Sequence, residues 1–204
     1  VSVGGRYGRA ASEVVVGIPH VADRLELFLP SVRAVGVRLR RHPHAVFQAN
    51  RFLVADLVSA VAELSDSGPL VELYAGVGLF SGTVGDWFQK VTAVESSASA
   101  TADAAHNLGS HVAIHRVPVE RWVPELADVV IADPPRSGLR AQGVEVIRKT
   151  EAPHVLLVSC DAGALGRDAA LMTSSGYELD RVDVLDMFPQ TSHVEVVSGW
   201  VRRV

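Results

Sequence analysis

The sequence is poor in cysteine and has no long apolar run. Cys160 is its single cysteine, so the chain alone cannot form an internal disulfide, a cysteine-bound iron–sulfur cluster or a cysteine-rich zinc site. No apolar stretch approaches the roughly 18–20 residues of a membrane-spanning helix, and no charged-then-apolar signal pattern opens the sequence. The close pair His42 and His44 is more typical of a loop than of a metal site. We therefore expect a cytoplasmic monomer without a membrane segment, metal ion or iron–sulfur cluster.

Charge is unevenly distributed along the chain. The 204 residues are 48% apolar and 21% charged, the balance of a globular protein of one domain with a small extension. Residues 1–51 carry eight arginines against three acidic residues, whereas the remainder carries 11 basic and 20 acidic residues. The arginines are Arg6, Arg9, Arg24, Arg33, Arg38, Arg40, Arg41 and Arg51. This asymmetry indicates either a contact with a polyanion or simply a solvated, arginine-rich surface.

Apolar runs alternate with amphipathic stretches from residue 70 onward. The first 50 residues suggest short strands separated by turns, at 14–16, 25–29 and 35–39, and a helix is predicted over 51–65. Further strands are predicted at 70–73, 91–94, 112–114, 128–132, 154–158 and 181–187, with a last antiparallel edge strand at 193–203. Helices are predicted near 79–88, 97–108, 141–151 and 163–175. Such alternation predicts a parallel sheet covered on both faces, with a boundary near 45–51.

A glycine-rich turn follows the first strand of this α/β part. Gly76 and Gly78 separate that strand from a helix, and glycine allows positive φ and close approach of a ligand to the backbone. Glu95, at the next strand end, could accept hydrogen bonds from both hydroxyls of a ribose. The spacing matches neither the dinucleotide fingerprint nor a phosphate loop. We therefore predict a nucleoside cofactor without phosphates, such as S-adenosylmethionine; the alternative is a tight turn without a ligand.

Two further strand ends should meet at the same rim of the sheet. Asp133 is followed by two prolines and Arg136, a stiff segment at the place where α/β sheets bind ligands; the alternative is a structural loop. Cys160 ends the next buried strand, although a cysteine is more often a small buried hydrophobe. A thiolate here could attack C6 of a pyrimidine and make C5 nucleophilic, with Arg136 and Arg167 as candidates to favour the thiolate.

A base must then remove the C5 proton so that the cysteine can be eliminated. His193 and Glu195 are the candidates, since they lie two positions apart and are expected to share one face of a strand. Either could act on chemical grounds. The alternative for both is an ordinary surface strand.

Five motifs together resemble the RNA uracil-C5 methyltransferases of tRNA and 23S rRNA. They are Phe47–Asn50, Tyr74–Gly78, Asp133–Leu139, Val158–Asp161 and Asp186–Glu195. The resemblance implies a class I, Rossmann-like α/β methyltransferase fold with a mostly parallel seven-stranded sheet, here residues 46–204, behind a short β-rich RNA-contacting segment, residues 1–45.

The resemblance also implies roles for individual residues. Cys160 would be the nucleophile and Glu195 the base, rather than His193. Gln48, Tyr74, Glu95 and Asp133, with the turn glycines Gly76 and Gly78, would bind S-adenosyl-L-methionine. The substrate would be an RNA, either rRNA or tRNA, with the target base turned out of its stack.

Departures from the family pattern keep other functions open. Family members usually carry an N-terminal β-barrel. Some have an Asn where Leu79 stands, and an Asn or Asp is common where Pro118 stands. A cytosine-C5 RNA methyltransferase would carry a Pro-Cys pair in place of Pro135-Arg136. A small-molecule methyltransferase would not need Cys160 and Glu195 together, and a catalytically weak RNA-binding module is the alternative from another class.

Overall fold

A computed structural model describes residues 20–29, 38–43, 45, 47–48, 50–63 and 68–203 of the chain. The predicted strand at 14–16, the start of the one at 35–39, and Arg6, Arg9 and Arg33 lie outside these residues. Within the described part, β1 (Val21–Arg24) and β2 (Arg38–Arg41) form an antiparallel pair. No helix in the described part is both long and apolar enough to span a membrane.

The main sheet has seven strands, and most of them run parallel. They are β3 (Pro69–Leu73), β4 (Lys90–Glu95), β5 (Val112–Arg116), β6 (Val129–Ala132), β7 (His154–Ser159), β8 (Tyr177–Leu185) and β9 (Glu195–Arg202). Their spatial order is β5-β4-β3-β6-β7-β9-β8, and only β9 runs against its neighbours. The predicted α/β class with a mostly parallel seven-stranded sheet is confirmed. Chain order reverses between β3 and β6, and the carboxyl ends on either side of such a reversal form a crevice.

In the described part of the chain, five α-helices cover the two faces of the sheet. They are α1 (Val54–Ala62), α2 (Leu79–Val84), α3 (Ala98–Asn107), α4 (Arg140–Lys149) and α5 (Ala162–Ser174). Neighbouring residues of a strand point to opposite faces, so Leu70 joins one apolar cluster while Val71 joins the other. Because both faces are covered, the central strands are continuous apolar runs. Each fully buried Leu or Val contributes about 1.5–3 kcal/mol of stability.

Two predictions about the strands were wrong. Residues 25–29 form a 3-10 turn rather than a strand, because Leu25, Phe28 and Leu29 are the buried positions and this spacing is helical. The last strand is antiparallel as predicted, but it is not at the edge. β9 lies between β7 and β8, and β8 is the edge strand. The burial of β9 on both faces follows from its position between two other strands.

Candidate active site

A cavity of about 660 Å³ lies at the carboxyl ends of the central strands, at the crevice between β3 and β6. It brings together all but one of the residues predicted to form the site. Those lining the cavity are Gln48, Tyr74, Gly76, Glu95, Asp133, Cys160 and Glu195. Gly78 is the exception, because it lies in the turn beside the cavity without lining it. Residues as far apart in sequence as Gln48 and Glu195 therefore face one space.

The glycine turn owes its shape to left-handed backbone. Tyr74, Gly76 and Gly78 have φ of 59°, 56° and 83°, and the Gly78 N–H donates to the carbonyl of Ala75 at 2.8 Å. A Cβ added to Gly78 would lie 2.8 Å from the side chain of Leu108. Glycine is therefore favoured at position 78 both for its backbone angle and for space.

Glu95 is held at the rim by backbone amides. Its Oε2 accepts the N–H of Gly76 at 2.9 Å and its Oε1 accepts the N–H of Ser97 at 2.6 Å. These bonds fix the carboxylate between the glycine turn and the start of α3. A carboxylate oxygen has a second lone pair, so Glu95 can still accept hydrogen bonds from a ligand in the cavity.

Glu72 is a carboxyl of the site that sequence reasoning missed. It is 2% exposed within β3 and lines the cavity floor. Its Oε2 accepts hydrogen bonds from the N–H and the hydroxyl of Ser81 in α2. Burial raises the pKa of Glu72 to about 7, against the opposing effect of the Ser81 bonds. The available signal was a charged residue between Val71 and Leu73, inside an otherwise apolar strand.

Asp133 and Gln48 join across the cavity. The Gln48 Nε2 donates to the Asp133 Oδ2 at 2.8 Å. Desolvation raises the pKa of Asp133 to about 7, and the Gln48 bond acts in the opposite direction. This contact attaches the segment before α1 to the end of β6.

The strand pairing brings Cys160 and Glu195 to the same end of the β7–β9 ladder. The antiparallel pairing of β7 with β9 ends with Ser159 opposite Val196. Cys160 directly follows Ser159 in the chain, and Glu195 directly precedes Val196. Both side chains line the cavity.

Glu195 is nearly inaccessible and lacks a side-chain hydrogen bond to the described residues. It is 2% exposed. Burial, and then the charge of Asp133, raise its pKa to about 8. His193 precedes β9, and its ring packs edge-on to Phe188 at 6.2 Å between centroids. The prediction that His193 and Glu195 share a strand face was therefore wrong, and Glu195 alone of the two lines the cavity.

The thiol of Cys160 is less acidic than the sequence suggested. Partial burial raises its pKa, and the charges of Glu195 and Asp133 raise it further. Arg136 lowers it, whereas Arg167 does not line the cavity. The expectation that the site favours the thiolate is thus reversed for the protein alone, because burial and the two carboxyls outweigh the single arginine. Across the described ranges, no three His, Cys, Asp or Glu side chains are grouped to hold a metal ion.

The fold and the cavity define a class I methyltransferase architecture. An N-methyltransferase from Bradyrhizobium japonicum has this fold, with a TM-score of 0.61 at 12% identity over 73% of this chain and 94% of its own. Residues 125–202 match the sequence model of the tRNA (uracil-5-)-methyltransferase family.

Closer similarities extend beyond the fold. The chain is similar to the tRNA (uracil-54, C5)-methyltransferase of Pyrococcus abyssi, solved with S-adenosyl-L-homocysteine, with a TM-score of 0.80 and 26% identity. That match covers 98% of this chain and 50% of the archaeal one. An RNA methyltransferase of Thermosynechococcus vestitus is 32% identical over 96% of this chain and 44% of its own length.

These matches confirm the resemblance seen in the motifs: the chain is a relative of the RNA uracil-C5 methyltransferases. A Streptomyces coelicolor RNA methyltransferase adds 36% identity over 70% of this chain and 34% of its own. The chain therefore spans about half, or less, of the length of the relatives it matches.

Proposed function

We propose that the chain is the catalytic part of an S-adenosylmethionine-dependent methyltransferase that acts on C5 of a uracil in RNA, with Cys160 as nucleophile and Glu195 as base. The observation that carries this proposal is the cross-strand pairing of β7 and β9. It brings a thiol and a carboxyl to one cavity, which is also lined by a glycine turn with a fixed carboxylate. The names of the matched family and of the Pyrococcus enzyme support a uracil in tRNA as the first substrate to test.

The lining of the cavity fits a nucleoside cofactor without phosphates. Glu95, anchored by two amides, faces the space that a ribose would occupy and has lone pairs left for its hydroxyls. Among the described residues that line the cavity, Arg136 is the only basic one, and its charge acts on the thiol of Cys160. The carboxyls of Glu72 and Asp133 suit a cation better than a pyrophosphate. When bound, S-adenosylmethionine supplies an electrophilic methyl group.

Cys160 and Glu195 would perform complementary halves of the reaction. The ionised Sγ attacks C6 of uracil, and the electron pair of the C5–C6 double bond moves onto the C4 carbonyl as an enolate. The enolate makes C5 nucleophilic. C5 would then take the methyl group as the methyl–sulfonium bond of the donor breaks, which leaves the donor sulfur as a neutral thioether. Glu195 removes the remaining C5 proton, the C5–C6 double bond re-forms, and the C6–Sγ bond breaks to release the thiolate.

The raised pKa of each group has a physical role in this sequence. A carboxyl with a pKa of about 8 is a stronger base, once ionised, than an ordinary glutamate. The negative charge of Glu195 also disfavours ionisation of the Cys160 thiol. A uracil ring that enters between the two side chains would separate their charges. The thiolate could then act in the attack on C6, and the carboxylate in the later removal of the C5 proton.

Covalent trapping tests the proposal. The protein is incubated with labelled cofactor and a tRNA carrying 5-fluorouridine, in which fluorine cannot leave as a proton does. We expect a denaturation-resistant adduct that maps to Cys160, the only thiol of the chain. Glu195→Gln should accumulate the same adduct on ordinary uridine. An rRNA fragment serves as the alternative substrate.

Three outcomes would contradict the proposal. Full methyl transfer by Cys160→Ala would exclude the covalent mechanism. RNA binding without transfer by the wild-type protein would favour a binding module, and transfer to cytosine would favour the rival base. The control variant is Ser198→Ala, which changes a residue on β9 that does not line the cavity. Its hydroxyl donates to the carbonyl of Leu157 at 3.2 Å and accepts the Nε1–H of Trp200 at 3.0 Å.

A further inference from the structure

The N-terminus of α4 is capped by a residue from another helix. Its own N-cap residue, Leu139, offers no side-chain hydrogen bond. Instead, the carboxylate of Asp168 in α5 accepts the N–H of Leu139 at 2.7 Å and that of Arg140 at 3.0 Å. Asp168 is only 2% exposed. A buried carboxylate is costly unless it is hydrogen-bonded, so these two bonds account for its presence in the interior.

The capped segment is the end of the loop that carries Arg136. Between β6 and α4 the chain turns, with the Gly138 N–H donating to the carbonyl of Pro135 at 2.8 Å. A Cβ on Gly138 would lie 2.3 Å from the Asp168 Oδ2, and Gly138 has φ of 76°. Arg140 also has a positive φ, 57°. A residue other than glycine keeps a positive φ only where the surrounding structure imposes it.

Three charged groups act on the thiol of Cys160. Glu195 reaches it from β9 and Asp133 from the end of β6, and both carboxyls oppose its ionisation. Arg136, from the loop, is the charge that favours the thiolate. Arg136 is exposed on the cavity wall, so the position of its backbone decides how near its charge stays to the sulfur.

We propose that Asp168 is a positioning residue, which fixes the loop from Asp133 to Gly138 and so holds Arg136 next to Cys160. Asp168 touches neither the cavity nor the thiol. It acts through the backbone of Leu139 and Arg140, three and four residues after Arg136 in the chain. The inference deepens the proposed function, because it rests on Cys160 being the reacting group.

Alkylation of the single thiol tests this inference without cofactor, RNA or methyl transfer. The rate of Cys160 modification by iodoacetamide is measured against pH, and its midpoint reports thiol ionisation. Asp168→Asn keeps the shape but turns one acceptor into a donor facing a backbone N–H. We expect the midpoint to rise by about half a pH unit, which slows modification about threefold below the midpoint. Gly138→Ala, which displaces the same carboxylate, should act in the same direction.

A double-mutant cycle separates positioning from general damage. Arg136→Gln should raise the midpoint by itself, and Asp168→Asn should add nothing in that background. The matched control is Asp103→Asn. Asp103 is another buried aspartate, 1% exposed, and it lies in a different helix, α3. Its carboxylate accepts a hydrogen bond from the Arg40 Nε at 2.8 Å. It should lower the melting temperature without moving the midpoint.

Two results would overturn the inference. One is an equal shift of the midpoint by Asp168→Asn with and without Arg136, and the other is the same shift by Asp168→Asn and Asp103→Asn. The proposed function fails separately, by the absence of an adduct with 5-fluorouridine RNA in the wild-type protein. The two failures are therefore distinguishable.

Discussion

Replacing Glu195 by Gln should stabilise the fold, and the gain should depend on pH. The pKa of this carboxyl is raised from 4.5 to about 8, chiefly by burial. Below pH 4.5 the group is protonated in both the folded and the unfolded chain, so it has no effect. Between 4.5 and 8 the unfolded chain loses the proton while the folded chain keeps it, and the free energy of unfolding falls as pH rises.

The magnitude follows from the shift. A pH of 7 is about 2.5 units above the pKa of this carboxyl in the unfolded chain. At about 1.36 kcal/mol per pH unit, keeping the proton costs the folded state about 3 kcal/mol. Glutamine has a similar shape and cannot ionise. Glu195→Gln should therefore unfold at a higher denaturant concentration than the wild type at pH 7–8 and at a similar one at pH 4.5, while its turnover is lost. A residue that serves activity at the expense of stability is expected at a reaction site.

Urea unfolding at pH 4.5, 6, 7 and 8 measures this difference. Glu178→Gln is the matched control, because Glu178 lies on the neighbouring strand β8 in an exposed ion pair with Arg203, and such pairs contribute little. The reasoning is refuted if the stability gain of Glu195→Gln is the same at all four pH values. It is also refuted if Glu178→Gln shows the same pH trend.

Two further predictions concern the scaffold. Gly78→Ala should lower the free energy of unfolding by about 1–3 kcal/mol, because alanine is strained at φ of 83° and its Cβ would meet Leu108. Gly166→Ala should instead raise it by about 0.5–1 kcal/mol, because Gly166 lies in helix α5 with nothing within 4 Å of the new Cβ. Thermal melts should show a lower melting temperature for Gly78→Ala and a higher one for Gly166→Ala, and a shift of both in the same direction would contradict the prediction. Tyr177→Phe should cost about 1 kcal/mol, since the carbonyl of Ala152 loses its 3.0 Å buried partner. An unchanged unfolding midpoint would exclude that contribution.

The sequence alone determined the order of strands and helices and the residue types of the site. Apolar runs such as 128–132 and 154–158 predicted β6 and β7 closely, because strands buried on both faces are continuously apolar. Turns that require glycine were also readable, since only glycine adopts their backbone angles freely. The choice of Glu195 as the base came from family resemblance, because His193 is chemically just as plausible a base.

Only the tertiary structure decided which side chains meet and how they are charged. The insertion of β9 between β7 and β8 is a long-range pairing that leaves no local periodicity, yet it brings Glu195 to the end of β7 that Cys160 follows. Glu72 and Asp168 look like ordinary acids in sequence, and their roles arise from partners that folding supplies. The acidity of Cys160 likewise depends on desolvation and on charges brought from other strands. Periodicity reports which face of an element is buried, but not what lies against that face.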